Sequence, residues 1–314
     1  MLNFIWDVDI SRVKSFVNKI SFFGGLRIWV TFFSLIFVGS AIFVNSGKLA
    51  KITLDQTSIW WFLLAILFSF ISLLINAIAW KNLLFWLGYS STKIELISLY
   101  LSSNLFKYLP GGIWHFVERL TVLKNHIGGG KALVSVVLEP LLMIAAALLL
   151  VPLGGWQSGL GALCFLPAIC LLKRFREPLI RRLESVKAGQ LRKIYDASQM
   201  SNGSNNLNVE RNDYPLKVLT LEALFVLLRF CGFWFCLGAF SIQNSIQFLE
   251  WLSAFSLAWC IGLVVPGAPG GIGIFEASIL ILLGSTVPEP FLIAALLCYR
   301  LVSTLVDLIA FISV

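Results

Sequence analysis

From Ser58 to Trp80 the chain runs 23 residues, SIWWFLLAILFSFISLLINAIAW, without one charged side chain. A hydrocarbon core about 30 Å thick is crossed by about 20 apolar residues in a helix rising about 1.5 Å each. A run this long and this apolar has no place on a water-facing helix, so it predicts a membrane span. Stretches 28–45, 132–153, 155–172, 216–241 and 290–313 qualify in the same way, giving six expected full spans. The composition agrees: 58% of the 314 residues are hydrophobic and only 13% charged, far from the balance of a soluble domain. The fold class expected is an all-α polytopic membrane protein. Ahead of the first span, residues 1–26 set Phe4, Val8, Phe16 and Ile20 against Arg12, Lys14 and Lys19, the pattern of an amphipathic helix lying at the interface rather than of a signal peptide.

Basic residues fix the expected orientation. The segment 173–215 carries Lys173, Arg174, Arg176, Arg181, Arg182, Lys187, Arg192, Lys193 and Arg211, and the positive-inside rule makes it a cytoplasmic linker. It divides the chain into a first membrane half, 27–172, and a second, 216–314. Counting spans outward from it places both termini in the cytoplasm of a multi-pass plasma (inner) membrane protein. Only the loop 46–57, with Lys48 and Lys51, runs against the rule. The basic run predicts attraction to anionic headgroups on the cytoplasmic face and no nucleic-acid partner; oligomer formation stays open.

Little in the chain points to bond-making chemistry. The six cysteines lie inside apolar segments without ligand spacing and read as small buried hydrophobes. His115 and His126 stand in no metal or nucleophile motif, and the GGGK at 128–131 lacks the spacing of a phosphate-binding loop. No catalytic residue, metal or cofactor is expected.

The helix breakers are more telling. VVPGAPGGIGIFEASI, residues 264–279, sets two prolines, four glycines and a glutamate inside an apolar region, and YLPGGIWHFVE, 108–118, repeats the device. Aligning Pro110, Gly111, Gly112, Ile113 and Phe116 with Pro269, Gly270, Gly271, Ile272 and Phe275 gives five identities in seven positions. In the charge-based topology 94–126 begins and ends inside and 249–286 begins and ends outside, so each is expected to be a re-entrant broken-helix hairpin. The units then form an inverted repeat, an architecture of transporters. Non-helical backbone at membrane depth survives only where protein or a wet cavity surrounds it. Half-helix N-termini at Ile113 and Ile272 would turn unpaired N–H groups and a positive dipole end inward, which makes Gly111, Gly112, Ile113, Gly270, Gly271 and Ile272 candidate contacts for an anionic head group.

Ionisable residues at membrane depth are costly unless paired or wet. Glu118, Arg119, Glu139, Glu276 and Arg300 are therefore candidate substrate contacts. Glu139 and Arg300 occupy near-equivalent repeat positions, and an encounter between them near a pseudo-twofold axis, as register pair or as substrate contact, is the expectation. Glu222 and Arg229, on one face of a span, read as structural; Lys107 and Asp307 read as snorkelling near the interfaces.

The stretches NLFKYLPGGIWHFVERL (104–120), VPGAPGGIGIFEASI (265–279) and CYRLVSTLVDLI (298–309) resemble, in order and spacing, the membrane domain of the lysylphosphatidylglycerol synthase/flippase family and its stand-alone UPF0104-type members. The resemblance covers the chain from about residue 25 and implies lipid handling, with the proline-glycine turns, Arg119, Glu276 and Arg300 at matching positions. Trp114 departs from it, standing where Gly273 stands in the second unit. No soluble aminoacyl-transfer domain is expected after Val314. The expected function is a flippase-like translocator moving a phospholipid or polyprenyl-phosphate-type amphiphile between leaflets. The alternatives are a membrane-embedded transferase acting on a lipid carrier and a small-solute secondary transporter.

Overall fold

The computed structural model describes Phe43 and residues 56–88, 94–108, 113–155, 160–178, 214–265 and 273–314. The expected interfacial helix 1–26, most of the expected span 28–45, most of the basic linker and both proline-glycine turns lie outside the described residues. Among the described residues every regular element is helical. In chain order these are α1 (Gln56–Trp86), α2 (Leu96–Asn104) with a 3-10 turn at Leu105–Tyr108, α3 (Trp114–Ile127), α4 (Gly129–Leu150) with a 3-10 turn at Val151–Gly154, a 3-10 segment Leu160–Phe165 leading into α5 (Leu166–Cys170), α6 (Leu216–Ala239), α7 (Phe248–Val264), α8 (Ile274–Leu283) and α9 (Glu289–Ile312).

Among the described residues, four helical stretches are long and apolar enough to cross a membrane: α1, α4 with its 3-10 tail, α6 and α9. They coincide with four of the six expected spans. The expected span 155–172 is not one helix. Gly155 takes a left-handed φ of 79° that ends α4, and Pro167 stands in the first turn of the five-residue α5, where its ring can start a helix but not continue one. Residues 173–178 follow as helix, and Arg176 there is buried, its guanidinium 4.5 Å from the Trp86 ring centroid, so the basic segment begins inside the packed protein. The six cysteines are free thiols; Cys236 and Cys260 are buried as expected, but Cys170 is exposed and the other three are half-buried.

The most extensive helix contact sets the frame. α1 and α6 pack along much of their length and run antiparallel. The Ser58 hydroxyl, at the start of α1, donates to the Ala239 carbonyl at the end of α6 (3.1 Å), and Phe62 meets Phe240 there. Further along, Gly232 of α6 sits directly on Ser69 and on the Ala65 carbonyl. Small residues at this crossing, with Ser72 beyond, let the backbones approach where no hydrophobic force separates protein from lipid.

Apart from the packing of α4 on α5, the remaining helix contacts fall into mates. α1 packs on α2, and α6 on α7; α2 on α3, and α7 on α8; α3 on α4, and α8 on α9; α1 on α4, and α6 on α9. Between the halves, α1 on α9 is matched by α6 on α4, and α2 on α9 by α7 on α4. A twofold relation between the units α1–α4 and α6–α9 produces such a pattern. The short helices flanking each proline-glycine turn lie against one another: α2 on α3, of which α3 spans about 21 Å, and α7 on α8, of which α8 spans about 15 Å.

The second unit closes on aromatic rings. Phe233 of α6 meets Phe255 of α7, Phe275 of α8 and Tyr299 of α9 with centroids 5.4–6.1 Å apart. The outer surface is apolar: Leu63, Leu67, Ile281, Leu301 and Leu308 stay exposed.

Candidate functional site

The sequence sets polar groups one turn or more past each helix break, and the fold turns them inward. In the first unit Arg119 of α3 is buried, with 1% of its side chain exposed. Its Nη1 donates to both carboxylate oxygens of Glu139 on α4 at 2.9 Å, and its Nε donates to the Ser103 hydroxyl of α2 at 2.8 Å. Tyr100 of α2 donates its hydroxyl to Glu139 at 2.8 Å and lays its ring 3.7 Å below the guanidinium; the Trp80 ring of α1 is 5.3 Å away. A cation leaves water at this cost only when charge, hydrogen bonds and ring faces all replace the lost solvation.

The second unit carries the same pair with its polarity exchanged. Glu276 sits on α8, the arm after the break, and accepts hydrogen bonds from Arg300 on α9. The carboxylate also accepts the Gly273 N–H at 2.7 Å, capping the helix that starts at Ile274. Gly273 holds a φ of 87°, which favours glycine. Arg300 lies 5.4 Å from the Phe275 ring centroid and keeps 22% of its side chain exposed.

Glu139 and Arg300 are therefore not partners, contrary to the expectation from their repeat positions. Each binds the residue just past the break of its own unit, because α3 folds back on α4 and α8 on α9. The second half-helix N-terminus already faces a carboxylate, and its Gly273 N–H is taken. The first is open by comparison: Ile113 occupies the cap position of α3 without a side-chain cap. Gly111, Gly112, Gly270, Gly271 and Ile272 lie outside the described residues. Glu118 is half-buried and has no hydrogen-bond or ion-pair partner among the described residues.

Between the units lies a third cluster. Asp307 of α9, fully buried, binds Lys107 at 2.7 Å, the Asn104 amide at 2.8 Å and the Tyr108 hydroxyl at 2.6 Å, all from the first hairpin. Lys107 and Asp307 thus form an interior bridge rather than snorkelling at a surface. Arg229 of α6, 8% exposed, stands within electrostatic reach of Asp307, Tyr108, Tyr100 and Tyr299, and its Nη1 has no hydrogen-bond partner among the described residues. His115 Nδ1, Trp80 Nε1, Arg119 Nη2 and both oxygens of Glu222 are likewise buried without one. The polar interior thus runs from Glu222 through Arg119 and Tyr100 to Arg229 and Asp307, linked pairwise by contact or field. The sequence singled out neither Tyr100 nor Asp307 as a site residue, and it assigned Arg229 and Glu222 to structure. One signal was available: each arm residue has a partner of opposite charge a similar distance along the chain, 20 residues for Arg119 with Glu139 and 24 for Glu276 with Arg300.

No curated protein matches the chain. A family model described as the lysylphosphatidylglycerol synthase TM region matches residues 26–310, a span that contains both breaks, both ion pairs and the Asp307 bridge. The chain belongs to the family of that transmembrane region, a membrane family whose name points to lipid modification or translocation.

Proposed function

We propose that the protein translocates a lipid between leaflets, its polar head passing between the two broken hairpins while its tails remain in the bilayer. The reading rests chiefly on four of the buried side-chain nitrogens that have no hydrogen-bond partner among the described residues, Arg119 Nη2, Arg229 Nη1, His115 Nδ1 and Trp80 Nε1, enclosed by a shell of exposed hydrophobic residues. Buried polar atoms in a native protein find partners, so donors left without one mark a place filled by water or a ligand. The two guanidinium nitrogens and the indole N–H are donors, and His115 Nδ1 is one in one of its tautomers, so they suit an anionic head such as the phosphate of a phospholipid or polyprenyl phosphate. Glu118, Glu139 and Glu276 supply the opposite sign for a zwitterionic head, with the first half-helix N-terminus at Ile113 and the glycines beside it lining the path.

The architecture proposed with it is an inverted repeat with re-entrant hairpins in the plasma membrane. The mated helix contacts and the antiparallel packing of the equivalent helices α1 and α6 support it, since equivalent spans that run in opposite directions belong to units inverted through the membrane. The activity proposed is transport without covalent chemistry, with no cofactor.

Reconstitution tests this. The full chain is placed in liposomes of phosphatidylglycerol and phosphatidylethanolamine holding a trace of head-labelled fluorescent phospholipid, and an impermeant quencher is added outside. Inner-leaflet label should become accessible faster than in empty vesicles, and Arg229→Ala should slow it. Equal rates with and without protein, for phospholipid and polyprenyl-phosphate probes alike, would sink the assignment.

A further inference from the structure

Glu222 of α6 is 0% exposed, and neither of its carboxyl oxygens meets a hydrogen-bond partner among the described residues. The charges acting on it come from Glu139 on α4 and Arg119 on α3, and it in turn acts on the Tyr100 phenol of α2. The antiparallel register that sets Ser58 beside Ala239 and Ser69 beside Gly232 carries Asn76 and Trp80 of α1 to its level. Neither of these titrates, and Asn76 Oδ1 and Trp80 Nε1 are also buried without a partner. Of the other charged groups on the packed elements, Lys81 of α1 is half-buried with its ammonium 5.8 Å from the Phe85 ring centroid, Lys131 is half-buried in the first turn of α4, and Lys217 and Glu289 are exposed in the first turns of α6 and α9. Arg229, two turns along α6, faces Asp307 and the tyrosines; Arg300 and Asp307 of α9 bind Glu276 and Lys107; Glu250 stands in the first turn of α7.

The local charge count is uneven. Among the described residues Arg119 is the cation whose field reaches both carboxyls, and its hydrogen bonds go to Glu139 and Ser103, leaving Nη2 without one. An ionised carboxylate held at membrane depth without hydrogen bonds or water costs several kcal/mol more than the neutral acid. Two carboxyls around one guanidinium form a neutral group only when they share one proton. The neutral acid also brings an O–H donor to a neighbourhood in which Asn76 Oδ1 lacks one.

We propose that Glu222 is a proton-binding site inside the membrane and that its proton is exchanged in each cycle of lipid movement, so that the coupling ion is H⁺. The inference rests on the translocator reading above. In the resting state the proton sits on Glu222 and Arg119 serves Glu139. When the Glu222 O–H bond breaks and the proton leaves to water on one side, the carboxylate left behind takes a hydrogen bond from the free Nη2 of Arg119. When a proton returns from the other side the O–H bond reforms and Arg119 reverts to Glu139 alone. The guanidinium keeps its charge throughout, and the proton is the only species gained or lost. Because Arg119 is carried by the arm just past the first break, its change of partner moves the element that borders the lipid path.

The test uses the full-length protein in the same phosphatidylglycerol/phosphatidylethanolamine vesicles, with a pH dye inside, and in nanodiscs for infrared spectroscopy. In the wild type an imposed pH gradient should change the initial rate of lipid transfer several-fold, with proton movement reported by the dye, and a protonophore should abolish the difference. Glu222→Gln should remove the response to the gradient, and Glu222→Asp should restore it. The infrared spectrum should hold a protonated-carboxyl carbonyl band that is lost in Glu222→Gln. Gradient-insensitive transfer by the wild type, or an equal gradient response in Glu222→Gln, overturns the proton assignment and leaves the translocator standing. If no lipid moves at all, the translocator reading fails, and the infrared band alone decides the site: a band lost with Glu222 supports it, a spectrum unchanged by the substitution overturns it. Should Glu222→Gln fail to fold, the wild-type gradient response still decides the coupling, and the protonated-carboxyl band decides the site by whether it shifts in Glu222→Asp or stays unchanged.

Discussion

Arg119 is held on four sides at once, by Glu139, Ser103, the Tyr100 ring and the Trp80 ring, and only 1% of its side chain is exposed. Removing one partner of such a pair strands the other charge in a dry interior, which costs about 3–5 kcal/mol, whereas removing both leaves nothing stranded. Arg119→Ala or Glu139→Ala should each lower the detergent-solubilised melting temperature sharply, and the double substitution should recover much of the loss. Additive losses, read by thermal unfolding, would mean that the two side chains are energetically independent. Arg119→Lys should not rescue, because an ammonium lacks the planar fork that meets Glu139 and Ser103 together and the flat face that lies on Tyr100. The sequence made these charges conspicuous, since ionisable residues in apolar runs stand out by composition. It could not assign the partners. Repeat alignment compares positions within units, whereas an ion pair forms where a chain folds back, and only the packing of α3 on α4 and α8 on α9 tells the two apart.

The four long helices were legible in the sequence because a 20-residue apolar run admits no other state at membrane depth, and α1, α4, α6 and α9 appear where those runs lie. Shorter elements were less so. The run 155–172 has the hydropathy of a span, yet Gly154, Gly155 and Pro167 break it, and local backbone chemistry prevailed over mean hydropathy. The close α1/α6 crossing at Gly232 carries no motif to announce it, only glycine, alanine and serine at helical spacing. Its geometry makes a definite claim. A Cβ on Gly232 would land on the Ser69 hydroxyl and 3.3 Å from the Ala65 carbonyl, so any larger side chain forces the central helices apart. Gly232→Leu should destabilise by about 1–3 kcal/mol or more, as overpacking does, and Gly232→Ala by less. Leu301→Ala, at a position 72% exposed on the outer face of α9, should stay within about 0.5 kcal/mol. Equal melting temperatures for Gly232→Leu and wild type would show that α1 and α6 do not approach as described.

Over the whole molecule, the mated contacts and the antiparallel α1/α6 pair make one prediction about sidedness. Gln56, at the start of α1, and Gln243, just past the end of α6, lie at the same end of the protein, as the Ser58–Ala239 hydrogen bond requires. Gly88, just past the end of α1, and Lys217, in the first turn of α6, lie at the other end. From the basic segment that precedes α6, the positive-inside rule predicts a cytoplasmic Gly88 and Lys217 end. With the six native cysteines replaced, single cysteines at positions 56 and 243 should react with a membrane-impermeant maleimide in intact cells. Those at 88 and 217 should react only after the membrane is opened. The reverse pattern would keep the antiparallel frame and invert its placement. Labelling of 56 and 88 from the same side would be incompatible with α1 as a span, and labelling of 56 and 243 from opposite sides would undo the antiparallel pairing. With that pairing would go the inverted repeat, because equivalent helices running the same way describe two parallel copies. Asp307 joins the two units. It ties α9 of one unit to the hairpin of the other through Asn104, Lys107 and Tyr108, so a change at the first break reaches the second unit through three hydrogen-bonded contacts, without any change in the long helices themselves.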